Sequence, residues 1–383
     1  MPMILRFFIT VFALASLLVQ PAFALETTAR SALVVDYNTG TVLLSKNADE
    51  PMPPASMSKL MTLNLIFEAL DVGRLSLEDT FRVSAKASQK GGSKMFVREG
   101  ARVRVEDLIR GVIVQSGNDA CIVLAEGLSG TEDEFARLMT ERARELGMMN
   151  SNFVNATGWP DPGQEMSAED LVFLAKRLIE KFPQYYGYFA EESFTWENIV
   201  QNNRNPLLSL GIGADGLKTG HTEEAGYGLV GSAVSEGRRI VFMVGGLGSA
   251  LERSTEAERI AKWAFRDFEM KTLFKAGEPV DSANVWLGAE KSVEMALSSD
   301  VELLLPLGSL NGVTAHYTYT NPVEAPISAG QKLGELVVMI PDSDPVHFPL
   351  TALTSVEAGG FMERISAAGN ILLRRIRAAT SGG

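Results

Sequence analysis

Two strand-like stretches lie far apart in this chain, and the periodic segments between them are helical. The first, SALVVDYNTGTVLLS at 31–45, sets two β-branched, apolar runs around the turn signal Asn38-Thr39-Gly40. The second, YGLVGSAVSEGRRIVFMVGGL at 227–247, repeats the pattern around Glu236-Gly237. In between, residues 56–70 space Leu60, Leu63, Ile66, Phe67 and Leu70 for one side of a helix, and Pro53-Pro54 stop it from extending backwards. VEDLIRGVIVQSGNDACIVLAEGL (105–128) reads as two helical segments broken at Ser116-Gly117-Asn118. TEDEFARLMTERARELGM (131–148) is amphipathic with an acidic start, and SAEDLVFLAKRLIEKF (167–182) opens on a serine cap. TEAERIAKWAFRDFEMK (255–271) adds a last helix. Strands that frame helices predict an α+β domain: an antiparallel sheet covered by helices, with a mostly helical subdomain inserted.

The pattern changes after Lys275-Ala276-Gly277-Glu278-Pro279. From there the chain runs in short alternating segments between Gly, Pro, Asn and Asp, which predicts a small all-β domain over 277–358, after a first domain at 25–276. At 359–383, Phe361, Ile365, Ala368, Leu372 and Ile376 form a helical stripe beside clustered arginines. Such a basic amphipathic helix reads as membrane-surface binding, and a terminal helix docked on the body is the alternative. At the other end, Arg6, the apolar run Phe7–Val19 and Ala22-Phe23-Ala24 read as a signal peptide over 1–24. The apolar run is short for a span of ~20 residues, which disfavours an uncleaved anchor.

The 383 residues are 46% apolar, enough for one large core and a smaller one. The formal charge of −12, with no basic stripe in the body of the chain, argues against nucleic acid as a partner. Cys121 is the single cysteine, so no intrachain disulfide can form; within CIVLAEGL it reads as a buried, inert thiol. Three scattered histidines offer no ligand-spaced cluster, so neither a metal nor a cofactor is expected.

Within PPASMSKLMT, a serine and a lysine stand one helical turn apart in an otherwise apolar run. Burying an ammonium is costly unless it is paired or neutralised. A serine hydroxyl needs a nearby base to act as a nucleophile, and an apolar surround lowers a lysine's pKa toward that task. Alone, Ser56-x-x-Lys59 is weak, since such a spacing arises roughly once by chance in a chain of this size. Ser-x-Asn is no stronger and recurs along the chain, at Ser45, Ser116, Ser282 and Ser309. Lys218-Thr219-Gly220 is rarer, expected roughly a tenth of a time. The force lies in the ordered set, because only the Ser116 copy falls between the other two.

Taken together, TGTVLLSKNADEPMPPASMSKLMT, VIVQSGNDACIVLAE and DGLKTGHTEEAGYGLVGSA resemble the three signature blocks of low-molecular-mass penicillin-binding proteins, the serine-type D-alanyl-D-alanine carboxypeptidases. Arg253-Ser254-Thr255-Glu256 followed by KWAF is similar to that family's late Arg-x-x-Glu segment, and the small β domain and basic tail match its layout. One departure is Trp159-Pro160 in NATGWPDPG, where the family pattern has a leucine after the glycine.

The resemblance implies a β-lactamase/transpeptidase-like first domain and acyl transfer. Ser56 would attack the carbonyl between two terminal D-alanines of a peptidoglycan stem peptide, with neutral Lys59 taking its proton. Ser116 and Lys218 would relay a proton to the leaving D-alanine, and Lys218 would help depress the pKa of Lys59. Asn118 would orient the lysine and the substrate amide. The backbone N–H groups of Ser56 and His221 would form the oxyanion hole, with Gly220 beside it. Thr219 and Arg253 would grip the terminal carboxylate, and β-lactam antibiotics would acylate the same serine. It further implies an exported, periplasmic enzyme held peripherally to the outer face of the cytoplasmic membrane by its C-terminal helix. Two rivals stand beside this reading: a serine β-lactamase, which needs a deacylating glutamate with a nearby asparagine where Glu165 and Glu169 fall without one, and a non-catalytic cell-wall-binding scaffold.

Overall fold

The computed structural model describes residues 25–308, 312–340 and 345–360. The expected signal peptide and the helical stripe of the tail lie outside the described residues. The two distant strand regions meet in one five-stranded antiparallel sheet. Its order is Val42–Lys46, Ser31–Asp36, Arg238–Leu247, Gly226–Ser235, Ala214–Thr222. The first hairpin closes where Asp36 Oδ1 accepts hydrogen bonds from the Thr39 amide and hydroxyl, both at 2.9 Å. The strand that carries Lys218-Thr219-Gly220 lies at the sheet's edge.

Ser31–Asp36 is buried throughout because both faces of the sheet are covered. Its side chains alternate between two cores, as the two-residue period of a strand requires. Leu33 and Val35 join Val230, Val241 and Met243 against the helices inserted in mid-sequence. Ala32 and Val34 join Leu229, Ile240 and Phe242 against Ile260, Ala261 and Trp263 of the helix Ala250–Arg266.

The helix Lys59–Asp71 differs from its expected one-sided form. Eleven of its thirteen residues are buried, Met61 and Leu65 as well as Leu60 and Leu63. A helix surrounded by other elements needs apolar residues all round, and its polar members then need partners. The last helix of the first domain also differs from the expected 255–271. It starts at Ala250, where Ser249 Oγ accepts from the Glu252 amide at 3.0 Å, and ends at Arg266. FEMK then continues as the strand Phe268–Phe274, which pairs with Val301–Pro306.

Residues beyond this point form the β-rich region expected from the alternating segments. A six-stranded sheet orders Thr314–Tyr319, Lys332–Met339, Val346–Ala352, Ser292–Leu297, Pro279–Trp286 and Val323–Glu324. It has its own core around Val293, Met295, Leu303, Leu336, Val338 and Leu350.

Candidate active site

Ser56 sits in a short 3-10 turn, Ala55–Ser58, that runs directly into the helix Lys59–Asp71. Ala55 enters that turn with φ +47°, a left-handed conformation that is strained for any residue with a Cβ. The turn is packed on two sides by glycines that have no room for a side chain. A Cβ on Gly220 would stand 2.9 Å from the Pro54 carbonyl oxygen, and one on Gly158 would stand 1.9 Å from that of Ala55. The glycine of Lys-Thr-Gly thus lets the edge strand close against the turn that holds Ser56.

Lys59 is completely buried, and its Nζ has three partners: Ser56 Oγ at 2.7 Å, Asn118 Oδ1 at 2.8 Å and the Thr157 carbonyl at 2.6 Å. Two of these oxygens can only accept. A neutral amine therefore satisfies both with its two N–H bonds and turns its lone pair toward the Ser56 hydroxyl. The charged form donates its third N–H along the same line, so loss of the proton demands no rearrangement. Burial, foremost, lowers the pKa of Lys59 from 10.5 to about 8, aided by the positive charges of Arg204 and Lys90 and opposed by Asp119.

The break between the helices Val105–Ile113 and Asn118–Ser129 turns on Ser116, whose φ is +58°. Its Oγ accepts from Lys218 Nζ at 2.9 Å, and the same nitrogen also donates to the Thr219 carbonyl at 3.0 Å. Lys218 is pulled well below the ordinary lysine range, first by burial and then by the charges of Lys59 and Arg204. Burial is the leading cause for both lysines, and two buried amines so close together further disfavour charging both at once.

Asn118 begins the second helix, and its Nδ2 donates to the Gly91 carbonyl at 2.9 Å while its backbone N–H donates to that of Ser93 at 2.8 Å. Asp119 anchors the same stretch, accepting from the amides of Met95, Phe96 and Val97. Cys121, one turn further, is fully buried, and burial pushes its thiol up to about 12, which keeps it protonated and unreactive.

These side chains back a cleft of about 420 Å³ into which Ser56, Ser116, Thr219, Gly220, His221 and Arg253 open. The buried Lys59, Asn118 and Lys218 stand behind its wall. Ser93, Arg204 and Tyr227 complete the lining, and sequence reading had singled out none of them. Tyr227 was recoverable from the hairpin register, which sets it opposite His221, and the two rings stack at 3.8 Å. Arg204 gave no local signal; its Nη1 donates to Ser93 Oγ across 111 positions of sequence. Arg253 packs over Tyr227, and its Nε has no hydrogen-bond partner among the described residues. Glu256 bonds Arg259 and Thr27 instead. Among the described residues no aspartate or glutamate lines the cleft, and Arg204 and Arg253 do, so it suits an anionic ligand.

Comparison with known proteins agrees with this architecture. Residues 18–247 match the family described as D-alanyl-D-alanine carboxypeptidase, and residues 268–358 match the penicillin-binding protein 5 C-terminal domain. The chain is 36% identical over 349 residues to the D-alanyl-D-alanine carboxypeptidase DacD of Escherichia coli, covering 89% of this chain and 90% of that protein. It superposes on penicillin-binding protein 5 from Haemophilus influenzae with a TM-score of 0.74 at 34% identity, covering 87% of this chain and 98% of that one. Penicillin-binding protein D2 from Listeria monocytogenes in an ampicillin-bound form aligns with a TM-score of 0.58 at 31% identity, over 63% of this chain and 99% of that one. The chain belongs to the serine-type D-alanyl-D-alanine carboxypeptidases, the low-molecular-mass penicillin-binding proteins with a β-rich C-terminal domain.

Proposed function

We propose that Ser56 is the nucleophile of this carboxypeptidase and Lys59 its general base. The observation that carries the reading is the hold of two acceptors, Asn118 Oδ1 and the Thr157 carbonyl, on Lys59 Nζ, which leaves its third position facing Ser56 Oγ at 2.7 Å. As Oγ bonds to the carbonyl carbon between the last two D-alanines, its proton passes to Lys59. The resulting oxyanion is stabilised by the backbone N–H groups of Ser56 and His221. When the C–N bond breaks, the departing D-alanine amine takes a proton through Ser116, which is hydrogen-bonded to Lys218. Water then hydrolyses the Ser56 ester: its oxygen bonds the acyl carbon and one of its protons refills the Ser116–Lys218 relay, while the proton held by Lys59 returns to Ser56 Oγ and restores the hydroxyl and the neutral amine.

Arg253, helped by Thr219 and by Gly220 beside it, holds the substrate's terminal carboxylate. Its unpartnered Nε and its place in the lining support that role. Peptidoglycan stem peptides are the substrates, and β-lactams acylate the same serine. The lactamase reading loses support because Glu169 lines a different cleft, with Leu33 and Val172, and no carboxylate among the described residues lines the cleft that holds Ser56.

The domain division at 276/277, the export signal at 1–24 and a membrane-bound tail at 359–383 complete the proposal, with the enzyme acting outside the cytoplasmic membrane. Among the described residues no helix is long and apolar enough to cross a membrane. Fractionation of the full chain against a version ending at Glu357 tests the tail, and equal solubility of the two would remove it from the account.

The central experiment is mass spectrometry after treatment with penicillin. The adduct is expected on the peptide that contains Ser56, and Ser56→Ala is expected neither to bind penicillin covalently nor to release D-alanine from a pentapeptide. Release at the wild-type rate by that variant would overturn the assignment.

A further inference from the structure

Trp159 stands one residue beyond Gly158, at the end of the turn that supplies the Thr157 carbonyl to Lys59, and is 41% exposed. The turn is closed by Asn155. Its Oδ1 accepts from the Thr157 amide at 3.1 Å, the Thr157 hydroxyl at 2.9 Å and the Trp159 amide at 3.0 Å, while its Nδ2 donates to the Trp159 carbonyl at 3.0 Å. Hydrogen bonds through the Asn155 side chain therefore tie Trp159 to Thr157, one of the residues that hold Lys59.

The indole reaches the second group. Lys90 Nζ lies 4.2 Å from the ring centroid. The ring edge closes over Gly91 and Gly92, where an added Cβ would stand 3.7 Å from Cη2 and 3.0 Å from Cζ3 respectively. The same Cβ on Gly92 would stand 2.9 Å from Asn118 Nδ2, so only a glycine fits between indole and asparagine. The Gly91 carbonyl accepts from that Nδ2, and the other end of the amide accepts from Lys59.

We propose that Trp159 is a positioning residue for acylation: its indole, set on Gly91-Gly92 beneath Lys90, locks the segment 90–93 to the Asn155–Trp159 turn and so fixes Asn118 Oδ1 and the Thr157 carbonyl around Lys59. This rests on Lys59 being the base of Ser56. With both acceptors fixed, the amine has one free direction, toward the hydroxyl. Without the indole, the two segments can separate at the surface, and a misplacement of ~1 Å at a reacting group costs roughly 100-fold in rate.

The test compares the full chain carrying Trp159→Ala or Trp159→Phe with the wild type. Second-order acylation by a fluorescent penicillin, kcat and KM on a D-Ala-D-Ala peptide, the thermal midpoint and the labelled peptide are measured for each. Trp159→Ala is expected to lower acylation and kcat about 10- to 100-fold with KM within about twofold. Trp159→Phe, which keeps a ring over the glycines and under Lys90, is expected within about threefold of wild type. Wild-type acylation by the alanine variant overturns the proposal. So does a phenylalanine variant as slow as alanine, which would mean general loss of packing, or a rise in KM alone, which would mean substrate contact. An adduct on Ser56 with unchanged rates defeats this inference only; an adduct elsewhere in the wild type defeats the assignment of Ser56 and this inference with it.

Discussion

Replacing Lys59 by methionine should change how stability responds to pH as well as abolish acylation. Methionine keeps the length and apolar stem of the side chain and removes its nitrogen. In the folded protein burial holds Lys59 at about 8, against 10.5 when the chain is unfolded. At about 1.4 kcal/mol per pH unit, that difference costs the folded state about 3 kcal/mol at neutral pH. The sign follows from the protons. Between about 8 and 10.5 the unfolded chain binds a proton that the folded site has released, so unfolding takes up protons and wild-type stability rises with pH. The penalty is fully present below about 8 and fades as pH approaches 10.5. Lys218 acts in the same direction, and its depression eases in the variant because the Lys59 charge is gone. Urea unfolding of both proteins at several pH values between 7 and 10.5 measures the effect, with the variant serving as control for the alkaline titrations of groups not coupled to Lys59; the change at Lys218 adds to the slope in the same direction. The wild type should gain on the variant by about 1 kcal/mol from pH 7 to 9 and by about 3 kcal/mol by pH 10.5. The absolute offset also contains the hydrogen bonds lost by Asn118 and Thr157, so the slope is the decisive quantity. Parallel stability curves for the two proteins would refute the claim that burial depresses this amine.

Other consequences can be checked separately. If Lys59 must be neutral to act, the acylation rate should rise with pH through about 8 and level off above it; a flat profile from pH 6 to 10 would exclude a lysine base. Arg253→Ala should raise KM for a peptide with a free terminal carboxylate about 10- to 100-fold and leave its amidated analogue nearly unaffected, as steady-state kinetics on the two substrates will show. Gly158→Ala meets both a left-handed backbone (φ +76°) and the Ala55 carbonyl, and should lose roughly 2–5 kcal/mol in denaturant unfolding. Gly211→Ala, where φ is +64° with open space around the new Cβ, should lose only about 1 kcal/mol in the same assay. Asp119→Ala leaves the amides of Met95, Phe96 and Val97 without their acceptor and should cost about 3 kcal/mol, together with part of the acylation rate.

Much of this fold was legible because its signals are local. Ser249 and Ser167 cap their helices through their own side chains, and the turns at Asn38-Thr39-Gly40 and Glu236-Gly237 close on chemistry within a few residues. The long-range pairing of Ser31–Asp36 with Arg238–Leu247 followed from the framing of helices by strands. What failed was what depends on surroundings. The one-sided reading of Lys59–Asp71 could not know that the sheet, the inserted helices and the Asn155–Trp159 turn would enclose it. FEMK suits either a helix end or a strand, and its partner Val301–Pro306 lies some thirty positions on. The motif residues were found because order along the chain is itself information, whereas Arg204 enters the cleft by one contact with Ser93 that no spacing rule anticipates.

The same surroundings explain why the site is built where it is. Ala55 and Ser116 hold left-handed backbone angles without being glycine, next to Ser56 in one case and within the second motif in the other. Each such residue costs ~1–3 kcal/mol and persists only when its neighbours over-determine it. Here they do. The Ala55 turn is wedged between Gly220 of the edge strand and Gly158, and Ser116 is held by Lys218 at the head of a helix whose first eight residues are all buried. Two depressed lysines add further cost in the same small volume. A chain that needed only stability would relax all four features. That they coincide, with polar atoms directed at one hydroxyl and one cleft, ties the dense cores on either side of the sheet to the proposed chemistry: their burial energy is what keeps a strained serine turn and a readily deprotonated amine in register.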